Sequence, residues 1–221
     1  VTDPMSMDAL QAYAEEQSAM VTKVLAANPG LPVITAHIIA GDLMSAERAT
    51  QRVAEGMPAE QAVNLVGSYA RWDWALRMVA EGVLSEQWFQ DNLPHLWSGS
   101  DPDDMKPEYL AVWRKARARA GGVIRDGRPL PHPEPGKRML RVYRGGLPFN
   151  LRAGFAWTTD PKVARRFANG AGVRMPQVGG IVITGWVKPS DVMAYITDRN
   201  EAEVIVDPRL VRNVRAVGVG R

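Results

Sequence analysis

Leu10, Ala14, Val21, Val24 and Leu25 recur at helical spacing and run up to Pro29-Gly30, which predicts a helix with Ser6 as its N-cap. A short apolar segment around residues 33–40 follows, and Glu47 to Glu55 reads as a helix stopped at Gly56. Pro58, at a first-turn position, opens a helix from Ala59 to Glu81 that Gly82 ends, because glycine takes the left-handed C-terminal conformation without strain. Ser85 caps a shorter helix ended by Pro94. Pro107 to Ala120 then reads as a basic helix stopped by Gly121-Gly122, with Tyr109, Leu110 and Trp113 as an apolar stripe and Arg114, Lys115, Arg117 and Arg119 as a solvated face.

Beyond this the period changes from 3.6 to 2. Short β-branched runs at 139–143, 154–158, 180–187, 192–196, 202–206 and 211–219 predict strands, with one helix, Lys162 to Ala168, capped by Asp160-Pro161 among them. The stretch 126–136 holds four prolines and is expected to be extended and irregular. The expected fold class is therefore α+β, with a helical region at 1–135 followed by a β-rich core at 136–221. Trp72, Trp74, Trp88, Trp97 and Trp113 fall in the helical half, where aromatics at this spacing are core residues.

Composition narrows the function classes. With 46% hydrophobic and 23% charged residues in 221, the chain is that of a soluble globular protein. It contains no cysteine, which excludes disulfides, thiolate metal sites and cysteine nucleophiles. No run of 18 apolar residues occurs, so no membrane association is expected. Net charge +3 hides a polarity: residues 1–104 carry 5 basic and 15 acidic side chains, and residues 105–221 carry 22 and 9. The basic half is the one that would draw an anionic ligand.

Most catalytic kits fail on inspection. His37, His95 and His132 are isolated, and neither a His-Glu-x-x-His nor a Gly-x-Ser-x-Gly is present, so no metal site and no serine hydrolase is expected. A Rossmann fingerprint and a Walker loop are absent, and the glycine-rich piece 170–180 with Arg174 carries no phosphate motif.

What remains are polar residues at the ends of apolar strands. Arg144 follows Leu140-Arg141-Val142-Tyr143 and precedes Gly145-Gly146, where a guanidinium fork beside bare backbone suits a bidentate anion site. The same pattern suits an arginine paired with a carboxylate near a turn. Trp157-Thr158-Thr159 closes the next strand, its hydroxyls either orienting a carboxylate or serving as ordinary strand threonines. Glu201 and Glu203, at i and i+2, would share one face of a strand roughly 7 Å apart. That is a surface pair, or the carboxylates of glycosyl chemistry, one stabilising an oxocarbenium-like centre and its neighbour handling the acceptor's proton.

Taken in order, Arg141-Val142-Tyr143-Arg144-Gly145, Gly154-Phe155-Ala156-Trp157-Thr158-Thr159-Asp160-Pro161 with Val163-Ala164 and Phe167-Ala168, and Glu201-Ala202-Glu203-Val204-Ile205-Val206 make a known pattern. It resembles the Arg-Ser-Glu class of mono-ADP-ribosyltransferases, to which many bacterial toxins and bacteriophage enzymes belong. The resemblance covers roughly residues 138–219 and implies a mixed, mostly antiparallel sheet. It also implies that Arg144 binds the phosphate and nicotinamide-ribose side of NAD, with Gly145 offering backbone to the carboxamide. Thr158 would hold Glu203, Glu203 would stabilise the cationic ribose as nicotinamide leaves, and Glu201 would orient or deprotonate the acceptor. Trp157 departs from the pattern, occupying the family's first Ser; its ring would stack on nicotinamide or pack, with the serine's role passing to Thr158 or Thr159.

This chemistry needs neither metal nor nucleophilic side chain, only anion clamping and a carboxylate aimed at developing positive charge. The resemblance implies transfer of ADP-ribose from NAD to a macromolecular acceptor, with Glu201 pointing to protein arginine, in the cytoplasm of the host or bacterial cell or after delivery there. NAD hydrolysis and modification of nucleic acid share the bond-breaking residues. A non-enzymatic partner-binding protein with a decayed site is the alternative from another class, and Trp157 is the feature that favours it.

Overall fold

The computed structural model describes residues 6–101, 104–148, 151–170 and 179–217. The chain divides into two compact units, Val1–Pro102 and Asp103–Arg221. The division falls ahead of the basic helix, whereas the proline-rich stretch expected to mark a boundary at 135 lies inside the second unit. The reason is packing: the basic helix lies against strands of the sheet.

The first unit is helical: α1 (Met7–Ala27), α2 (Val33–Ala54), α3 (Ala59–Ala62), α4 (Ser68–Ala80), α5 (Glu86–Asp91) and α6 (Leu93–Ser98). The Ser6 hydroxyl accepts from the Ala9 N–H at 3.2 Å and Ser85 from the Trp88 N–H at 3.3 Å, as caps should. The apolar segment at 33–40 and the helix expected from Glu47 are one continuous helix, since nothing between them breaks it. The single helix expected over 59–81 is instead interrupted by a 3₁₀ turn, Val63–Leu65, and restarts after Gly67. A Cβ on Gly67 would lie 2.0 Å from Asp42 Oδ1, while Asp42 Oδ2 accepts from the Tyr69 N–H at 2.9 Å. The break is thus made by a residue of another helix. Pro94 starts α6 rather than merely ending α5. Trp72 packs edge-on against Trp97, centroids 5.0 Å apart, and against Phe89.

The second unit contains α7 (Pro107–Ala120), β1 (Ile124–Arg125), β2 (Leu140–Gly146), β3 (Ala156–Thr158), α8 (Pro161–Ala168), β4 (Ile181–Val187), β5 (Val192–Ile196), β6 (Glu203–Val206) and β7 (Arg212–Val217). The strands form one seven-stranded mixed sheet in the order β1-β5-β6-β3-β2-β4-β7. Among the described residues only the β1–β5 pair is parallel. An α+β organisation, helices first and a mixed sheet after, is what the change of period predicted; β1, two residues long, carries too little pattern to be read.

One face of the sheet buries Leu140, Val142, Trp157, Ile183, Val204 and Val206. The alternate residues of β2, Tyr143 and Gly145, lie on the other face, on which α8 packs through Ala164 and Ala168 beside Val182. Gly145 is required there: a Cβ would sit 1.7 Å from the Ala164 carbonyl oxygen. No helix among the described residues is long and apolar enough to cross a membrane.

Candidate functional site

The sheet register brings the three sequence stretches together. Tyr143 of β2 is the partner of Thr158 of β3, and Thr158 is the partner of Glu203 of β6. Residues that far apart in the chain become one row on one face. Thr158 is buried and Glu203 half-buried at the mouth of β6.

Within that row the hydrogen bonds differ from expectation. The Thr158 hydroxyl donates to the Glu201 backbone carbonyl at 2.6 Å and accepts from the Asp160 N–H at 3.0 Å. Its one proton is therefore spent on the loop's backbone and not on the Glu203 carboxylate. Thr159 does similar work, its N–H donating to the Ala202 carbonyl at 3.0 Å.

Glu201 and Glu203 do not share a strand face. The strand begins at Glu203, while Glu201 is helical in backbone and Ala202 is left-handed at φ 47°. The loop ahead of it holds two more left-handed non-glycine residues, Arg199 and Asn200, at φ 57° and 55°. Such strain clusters where the surroundings enforce it. Here Asp126 enforces it from the proline-rich stretch, its carboxylate accepting from the Thr197 and Asp198 N–H groups and the Thr197 hydroxyl. Partial burial opposes ionisation of Asp126, but those hydrogen bonds outweigh it and hold its pKa below the usual carboxylate value. The Glu201 carboxylate accepts from Arg166 of α8 at 2.7 Å.

Arg144 lies within β2, not beyond its end, because pairing with β4 continues through Gly146. Strand alternation turns it to the face opposite Tyr143, where Asp104 meets it: Oδ2 and Oδ1 accept from Nη1 and Nη2 at 2.5 and 2.9 Å. Both side chains are only 16% exposed. Nη1 also donates to the Ala156 carbonyl, Asp104 Oδ2 accepts from the Ala156 N–H, and the buried Nε has no partner among the described residues. Gly154 leaves room for this fork, since a Cβ there would lie 2.2 Å from Nη2. Of the two readings open from the sequence, the paired arginine is the one observed. The acidic run at 101–104 signalled a partner for some arginine without saying which.

Trp157 is 2% exposed and donates from Nε1 to the Gly154 carbonyl at 3.0 Å. Its ring packs in the core, so it offers no face to a ligand. The space beside Gly145 is filled by α8, so the backbone there is not open to a ligand either.

The chain shows no match to a known protein family, to a characterised protein or to a solved structure.

Further cations crowd this unit, and several have partners. Asp207, at the end of β6, accepts from Arg209 and from Arg114 of α7 at 2.7 and 2.5 Å. The Arg209 side chain above all, then the Arg209 N–H and Arg114, bring its pKa down to about 2 against the opposing effect of burial. Arg117 donates to the Ser190 carbonyl. The basic face of α7 is exposed at Arg114, Lys115 and Arg119, as expected, and two of its arginines, Arg114 and Arg117, also tie the helix to the sheet. By contrast Arg141 and Arg165, which the sequence reading passed over, have no carboxylate partner among the described residues. The signal available was the alternation Arg141-Val142-Tyr143, which puts Arg141 on the face away from the core. No group of three or more His, Asp or Glu side chains among the described residues is arranged to hold a metal ion.

Proposed function

We propose that the second unit is the catalytic core of a NAD-dependent ADP-ribosyltransferase. The observation that carries the reading is the register row Tyr143, Thr158, Glu203, which sets the three stretches resembling that family on adjacent strands β2, β3 and β6. In this reading Glu203 accepts the ribose 2′-hydroxyl proton in a hydrogen bond and faces the anomeric carbon as the bond to the nicotinamide nitrogen breaks. Positive charge spreads over C1′ and the ring oxygen, and a fixed carboxylate there stabilises it. The acceptor's lone pair then forms the new bond to C1′, and its proton leaves to a base. Glu201 takes that proton, after exchanging its contact with Arg166 for one with the acceptor. A protein arginine is the favoured acceptor; a nucleic acid, or water in a NAD glycohydrolase, uses the same bond-breaking step. The place of action is the cytoplasm of a bacterial or host cell.

A second reading, a partner-binding protein whose site no longer turns over, is favoured by one observation. The arginine that the family pattern assigns to NAD is closed off by Asp104.

Nicotinamide release from NAD by the wild type and Glu203→Gln, with and without cell lysate, tests both. Release that falls on the order of a thousandfold in the variant, about 4 kcal/mol of barrier, and rises with lysate is the transferase result. Release independent of lysate points to the glycohydrolase. Unchanged release in Glu203→Gln refutes the site, and no release from the wild type leaves the binding protein.

A further inference from the structure

Beside the start of α8, on the sheet face that carries Tyr143, a cavity of about 190 Å³ is lined by Arg141, Tyr143, Pro161, Arg165, Val182 and Val217. Its lining combines two arginines with the apolar Pro161, Val182 and Val217. The Arg141 guanidinium carbon lies 5.2 Å from the Tyr143 ring centroid and 5.7 Å from that of Trp186, and its Nε is 3.4 Å from the Thr184 hydroxyl. Two aromatic rings thus fix the direction of a guanidinium that has no carboxylate partner among the described residues. Arg165 reaches the same cavity from the exposed side of α8. Arg215, the register partner of Thr184, stands on the same face of β7 as Val217.

The neighbouring carboxylates are otherwise engaged. Asp160 caps α8, accepting from the Lys162 N–H at 2.7 Å, and Glu201 is held by Arg166. Two other arginines that lean on this sheet have an acid: Arg144 has Asp104, and Arg114 has Asp207. Half-burying a guanidinium without one costs solvation that a bound anion would restore, and the planar fork selects an oxyanion that takes two hydrogen bonds.

We propose that this cavity is a phosphate-binding site in which Arg141 and Arg165 clamp a pyrophosphate, and that, on the transferase reading, it and not Arg144 holds the pyrophosphate of NAD. The volume is below the roughly 300–1,000 Å³ of sites that swallow a whole ligand, so it takes the phosphates and leaves the rest of the nucleotide along the sheet. Tyr143 links the two places, lining the cavity and opening the row to Thr158 and Glu203. With strands about 4.8 Å apart, the Glu203 backbone lies roughly 10 Å from that of Tyr143, the scale of one nucleoside.

The test is calorimetric titration of the full chain with inorganic pyrophosphate, ADP and NAD, for the wild type, Arg141→Gln, Arg165→Gln and, as a control in the helical unit, Arg52→Gln. The expected result is that all three ligands bind the wild type and the control alike, with affinity that falls as salt is raised. Arg141→Gln and Arg165→Gln each lose about tenfold or more. Arg165 is exposed on its helix, so its variant keeps the test alive if Arg141→Gln folds poorly. Pyrophosphate and ADP that bind neither wild type nor variants, or bind all of them equally, overturn the site. Nicotinamide release separates this from the transferase reading. Phosphate binding that needs both arginines, with no turnover of NAD, leaves the site and removes the transferase. Turnover that needs Glu203 but neither Arg141 nor Arg165 does the reverse.

Discussion

Removing the Asp104 carboxylate strands the Arg144 guanidinium in a pocket that excludes most of the solvent. In Asp104→Ala, Nη1 and Nη2 lose the acceptors that held them at 2.5 and 2.9 Å, and the Ala156 N–H loses one at 3.0 Å. Among the described residues Nε is already unpartnered, so only the Ala156 carbonyl remains for the whole group. With both side chains 16% exposed, water cannot take over, and an unpaired buried charge costs about 3–5 kcal/mol. Taking the charge away as well, in Asp104→Ala with Arg144→Met, removes the cause of most of that loss. The double variant should be more stable than Asp104→Ala alone, with a coupling of about 2–3 kcal/mol between the two sites. Urea denaturation measures the four proteins, and hydrogen exchange at the β2 and β3 amides assigns the change to the second unit. A loss below about 1 kcal/mol for Asp104→Ala, or single losses that simply add, would refute the claim that this pair holds β3 to β2.

Asp207→Asn should cost about 1–2 kcal/mol at neutral pH, a figure reduced because Arg209 and Arg114 are 77% and 47% exposed. The folded pKa is depressed from 3.8 to about 2, so the contribution is complete above 3.8 and lost as pH falls toward 2. The gap between wild type and variant in urea titrations must therefore close on acidification, and a gap independent of pH contradicts the assignment. Gly145→Ala should destabilise the second unit by about 3 kcal/mol, since its Cβ would lie 1.7 Å from the Ala164 carbonyl oxygen and α8 would have to shift. Thermal unfolding checks it, and a near-neutral result would mean α8 does not rest on β2 as described.

The order of helices, the change to strands after the proline-rich stretch and most strand limits were legible in the sequence because they follow from period and breakers, which are local. Val192–Ile196 and the Asp160-capped helix are cases where local pattern alone sufficed. The restart of α4 at Gly67 was not legible, since the break is imposed by Asp42, a residue of another helix. The site divides along the same line. The residue types, a hydroxyl before a helix cap and a glutamate opening a late strand, stand in the sequence. Whether Arg144 meets a ligand or Asp104, whether Trp157 faces a ligand or the core, and whether Glu201 and Glu203 share a face depend on strand alternation and on one left-handed residue, Ala202. A shift of one residue in register reverses every such side chain. Charge pairing across tens of residues is equally invisible to local pattern, and so only the tertiary structure distinguishes the arginines that have found an acid from Arg141 and Arg165, which have none among the described residues.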